Sequence, residues 1–150
     1  MVQFIMMLHV LFGMLFIVGA VWLFVEVLNA SEANKDRIKK MSLAVAIFMW
    51  LAYLIGGYWY VIFYNTEKAV ILNGPWAFAH SFFMEVKEHV ILMLVLLATF
   101  IPILGSHNFS VNRSARKAML WTTGLAILIG MAMDGAGAII GVGVKMGLLK

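Results

Sequence analysis

Four long apolar runs, roughly residues 4–25, 41–64, 89–104 and 118–143, constrain this chain more than anything else in it. Each approaches or exceeds the ~20 residues a helix needs to cross a bilayer. The composition agrees: 64% of residues are hydrophobic and 12% charged, about half the charged fraction of a soluble domain. The expectation is an all-α, integral membrane, four-helix antiparallel bundle forming one domain over residues 1–150. A lone hairpin would leave its small residues without a partner helix. The first run lacks a basic leader and exceeds the ~7–15 apolar residues of a signal peptide's core, so it reads as a retained first helix.

Charge gives the expected orientation. Lys35, Arg37, Lys39 and Lys40 lie in the first connection, and Arg113, Arg116 and Lys117 in the third. The second connection and the C-terminal tail offer Lys68, Lys145 and Lys150. Basic loops stay in the cytoplasm, which places both termini and the second loop on the outer, periplasmic side of the cell's inner (cytoplasmic) membrane. The net charge of +4 is thereby explained by topology, and no nucleic-acid partner is expected. With no cysteine, disulfides, thiolate ligands and covalent c-type haem are excluded.

Ionisable residues inside a spanning pattern mark function by default, and most of them fall in the third stretch, Pro75 to Leu104. There Phe82, Glu85, His89, Met93, Leu96 and Phe100 share one helix face, and His80, Met84, Lys87 and Ile91 the opposite one. Glu85 and His89, at i and i+4, can act as a pair, the carboxylate orienting the imidazole. Asn73-Gly74-Pro75 reads as a helix start, Pro102 as the helix end, and His80 as a surface residue. On the first helix (about Phe4 to Leu28), His9, Gly13, Phe16 and Ala20 lie on one face, which suits a flat ligand or a closely approaching helix. The second helix (about Met41 to Tyr64) carries Gly56-Gly57 and ends in Tyr58, Trp59, Tyr60 and Tyr64, an interfacial aromatic belt. Its outer loop contains the apolar patch Ala69 to Leu72. The fourth helix (about Ala118 to Val144) holds Asp134 on a face with Gly130, Ala138 and Gly141.

Counted from the cytoplasmic helix ends at 1.5 Å per residue, His9, Glu85, His89, Asp134 and Gly56 fall at about 22–28 Å, and His80 at about 36 Å. Two imidazoles on facing helices, with glycines beside them, suit a non-covalent b-type haem, each histidine giving one axial nitrogen and the small residues making room for the macrocycle. A metal site of His9, Glu85, His89 and Asp134 is the competing arrangement. The early His9-Val-Leu-Phe-Gly13, with Trp76 opening a third helix that carries Lys87 before VILMLVLLA, resembles the HemJ-type protoporphyrinogen oxidase and CopD-like groups of small membrane haem proteins. The resemblance covers the first three helices and implies a four-helix haem-binding bundle with His9 as an axial ligand. The chain differs from that pattern in the wider spacing of Trp76 and Lys87 and in having His80, Glu85, Glu88 and His89 besides. The functional expectation is a haem b protein held by His9 and His89, with His80 as the substitute for His89. Glu85, Asp134 and Lys87 would handle charge and protons, passing electrons between membrane quinol and a redox partner in the membrane or periplasm. The alternative is an accessory subunit anchoring a larger membrane complex.

Overall fold

The structure, a computed structural model, describes residues 2–149. Its long helices are α1 (Val2–Leu28), α2 (Lys35–Asn73), α3 (Glu85–Gly105) and α4 (Arg113–Leu148), with a 3-10 turn at Glu32–Asn34 and a π-helical segment at Ala79–Met84 leading into α3. Counting that segment with α3, all four are long and apolar enough to cross a membrane. α1 packs on α2 and α4, α3 packs on the same two, and α2 meets α4 across the middle. α1 and α3 therefore stand at opposite corners of a four-helix bundle.

α1 shows how the sequence sets the packing. Phe16, Ala20, Leu23 and Val27 are buried, a stripe at helical spacing, while Phe4, Met7, Val18 and Trp22 stay exposed. A helix apolar on all sides suits lipid on its outer faces. At the end of the bundle where α1 closes, polar ties hold the connections. The Asn34 amide donates to Glu26 and to the Asn29 carbonyl, and Arg37 pairs with Glu26 at 2.9 Å. The Arg116 guanidinium, from α4, donates to the Val27 and Leu28 carbonyls at the end of α1; the first also accepts from the Ala30 N–H, and the second is one of the acceptors that a helix leaves open at its C-terminus. Asn112 caps α4 by accepting from the Ala115 backbone N–H at 2.9 Å.

Three helix limits differ from the sequence reading. The outer loop of the second helix, with its Ala69 to Leu72 patch, is helix: α2 continues to Asn73 because its last turns pack on glycines of α4. A side chain at Gly147 would meet the Val70 carbonyl at 2.5 Å, and one at Gly143 would lie 3.7 Å from Ile71. Pro75 does not open a regular helix; the chain turns over residues 74–77 and enters the π segment. Pro102 does not end α3, which runs on to Gly105. The missing proline N–H frees one carbonyl near the helix terminus, and Ile101, Leu104 and Gly105 stay buried.

The interior divides into two cores. The larger contains Phe16, Ala52, Leu94 and Met133, with Phe12 and Val90 against it. The smaller contains Trp59, Tyr64, Ile71, Met84 and Ile140, with Met6 and Ile139 against it. On every helix the boundary between them falls in one short interval: residues 6–12 of α1, 52–59 of α2, 84–90 at the start of α3 and 133–139 of α4.

Candidate functional site

That boundary is where the ionisable side chains lie. His9 sits in the α1–α2 seam, Asp134 in the α1–α4 seam and Lys87 in the α3–α4 seam, each set against a glycine of the neighbouring helix. A side chain on Gly56 would meet His9 Nδ1 at 2.5 Å. One on Gly13 would meet Asp134 Oδ1 at 3.6 Å, and one on Gly137 would meet Lys87 Nζ at 3.0 Å. The fourth seam, α2–α3, is bridged by Tyr60, whose hydroxyl donates to Glu88 Oε1 at 2.6 Å.

His9 is the most fixed of these groups. Its Nδ1 lies 2.8 Å from the Ala52 carbonyl. A carbonyl only accepts, so Nδ1 carries the proton and Nε2 holds a lone pair. Lys87 and Asp134 act on one another and on His9 through charge. Neither has a hydrogen-bond or ion-pair partner within 4.0 Å among the described residues. Lys87 is half-buried, and Asp134 stands at the exposed edge of its seam.

The sequence-predicted residues thus separate. His9, Gly13, Gly56, Lys87 and Asp134 come together in the boundary layer. His89 does not join them. The face of Phe82, Glu85, His89, Met93, Leu96 and Phe100 is exposed from end to end, so the division into two faces holds and the inward one is that of His80, Met84 and Lys87. His89 Nδ1 bonds the Glu85 backbone carbonyl at 2.6 Å; the Glu85 carboxylate turns the other way, 3.7 Å from His80 Nε2. Gly56 makes room for the His9 ring itself rather than for a macrocycle. Among the described residues no three His, Asp or Glu groups assemble to hold a metal ion, so the site of His9, Glu85, His89 and Asp134 is not formed.

His80 is buried, 4% exposed, and not at the surface. It bonds the buried Tyr64 hydroxyl through Nδ1 at 2.9 Å. The helix containing it is locally π, a conformation that recurs at functional sites. Tyr60, Tyr64 and Glu88 were not singled out as site residues from sequence. Their signal was the spacing of Tyr60 and Tyr64 at i and i+4, which puts two phenols on one helix face and reads equally as an interfacial belt. Two open surface hollows lie elsewhere, one lined by Leu43, Trp50, Leu54 and Thr99 and another by Glu26, Asn29 and Arg37. Comparison with protein-family models, with curated proteins and with solved structures returns no match.

Proposed function

We propose that this chain is a multi-pass protein of the inner membrane, with both termini on the periplasmic side, that binds haem b at its outer boundary layer and passes electrons between membrane quinol and a redox partner at the outer face. The observation that carries this reading is the tautomer of His9. An axial histidine gives one nitrogen to iron and donates the other N–H to a carbonyl or carboxylate. His9 has this arrangement, with the Ala52 carbonyl as acceptor and a bare Gly56 holding the ring in place. The resemblance of the first three helices to HemJ-type and CopD-like proteins points the same way.

The donor set fits the group in kind. Haem supplies a one-electron site when bound. His9 would hold it through Nε2, the Lys87 ammonium would meet a porphyrin carboxylate, and Asp134 would hold the proton that accompanies a change of charge. Position supports the electron route: from Leu28 to His9 is about 28 Å along α1, close to the ~30 Å of a bilayer's hydrocarbon core. The boundary layer then lies at one face of the hydrocarbon, within reach of a partner outside. Neither His89 nor His80 is brought to His9, so the assignment rests on His9. His89 has a bare Nε2 but faces outward, whereas His80 is bonded to Tyr64 through Nδ1 and has the Glu85 carboxylate 3.7 Å from Nε2.

An absorption spectrum of the purified protein tests the reading. Sharp reduced α and Soret bands are expected, lost in His9→Ala, while His89→Ala and His80→Ala show which of them, if either, gives the second nitrogen. A protein without extractable haem ends the proposal. It would favour the accessory-subunit reading, which one observation supports: the seams are filled by their own side chains seated on glycines, as in a bundle built only for packing.

A further inference from the structure

The smaller core contains a buried phenol hydrogen-bonded to a buried histidine. Tyr64 is 1% exposed, and its hydroxyl has no acceptor among the described residues except His80 Nδ1. It therefore donates to Nδ1, which places the proton of neutral His80 on Nε2, facing the half-exposed Glu85 carboxylate at 3.7 Å. The Tyr64 ring lies 5.2 Å from that of Tyr60, nearly parallel at 22°, and 5.5 Å from that of Trp59. Tyr60 has a base of its own, Glu88 at 2.6 Å. Two stacked phenols, each joined to a separate proton acceptor and flanked by an indole, have what one-electron oxidation of a phenol requires.

We propose that Tyr64, with Tyr60 and Trp59, is an oxidisable aromatic relay that discharges a strong one-electron oxidant of the radical class. In the step, Tyr64 gives one electron to the oxidant. Its O–H bond breaks and an N–H bond forms at His80 Nδ1. A neutral tyrosyl radical and an imidazolium result, the Glu85 carboxylate 3.7 Å from Nε2 balances the imidazolium charge, and the oxidant is reduced by one electron. Tyr60 follows the same course, its proton going to Glu88. The inference does not rest on haem binding.

Flash photo-oxidation of the full-length protein in detergent by a ruthenium polypyridyl complex with persulfate, read by electron paramagnetic resonance, tests it. The chain has four tyrosines, Tyr53, Tyr58, Tyr60 and Tyr64, of which Tyr58 is the exposed one. The radical is expected on the stacked pair, Tyr60 and Tyr64. It should persist in the Tyr53→Phe/Tyr58→Phe double variant, which leaves the smaller core intact, and fall at least about tenfold in rate of formation in His80→Gln, the scale of a lost proton acceptor. A radical distributed by exposure, centred on Tyr58 and abolished in the double variant, overturns the proposal. So does a rate unchanged by His80→Gln.

Discussion

At the scale of single residues, the four glycines around the boundary layer are not equivalent, and the differences can be measured. A methyl at Gly56 would lie 2.5 and 2.6 Å from His9 ring atoms. That ring is tied to Ala52 and cannot slide aside, so Gly56→Ala is expected to cost about 1–3 kcal/mol, the usual range for overpacking. Gly57 has nothing within 4 Å of the same position. Gly57→Ala should gain up to about 1 kcal/mol from helix propensity. Denaturation of both variants in detergent gives the sign of each. Gly137→Ala meets only the flexible tip of Lys87 and Gly13→Ala an ordinary contact, so both should share much of that gain rather than the Gly56 loss. Tyr64→Phe removes the sole partner of His80 Nδ1 and is expected to destabilise by about 1–3 kcal/mol, the cost of an unsatisfied buried polar atom.

At the scale of elements, the π segment decides where His80 points. It contains one residue more than an α-helix would place in the same turns, and Ser81 within it is exposed. Deleting Ser81 should restore α-helical register and rotate His80 relative to α3 by about 100°. The expected outcome is loss of the Tyr64–His80 hydrogen bond while α3 below Glu85 keeps its packing. Histidine ring nitrogen resonances of labelled protein would show it. This element also marks the limit of what the sequence could reveal. The four helices, their order and the two faces of the third were legible, because apolar length and helical spacing are local properties. Which face turns inward was not. Glu85 and His89 look like an interior pair from spacing alone, and only the opposite-corner placement of α1 and α3 leaves them outside. The end of α2 was hidden for a similar reason: Ala69 to Leu72 becomes helix because glycines nearly eighty residues later, at 143 and 147, let α4 approach it. Gly56 was singled out correctly, yet its purpose, to seat the His9 ring, depends on a contact between helices.

At the scale of the whole molecule, the larger core, the ionisable layer and the smaller core stack in that order along the bundle. α2, at 39 residues, extends about 58 Å, beyond the roughly 40–45 Å of a full bilayer with its headgroups. The smaller core should therefore stand partly clear of lipid on the side opposite the basic connections. With no native cysteine, single-cysteine variants read this directly. Thr66→Cys, exposed on the outer part of α2, should react with an impermeant thiol reagent in intact cells. Ser31→Cys and Ser114→Cys should react only after permeabilisation. The reverse pattern would invert the orientation. Arg116 has a consequence of another kind, in time rather than in space. Its guanidinium donates to the Val27 and Leu28 carbonyls, almost ninety residues before it, so this tie between the first and last helices cannot form until α4 has been synthesised. The Val27 carbonyl meanwhile has its bond from the Ala30 N–H, so the first helix closes by itself and what arrives last is the lock between the two.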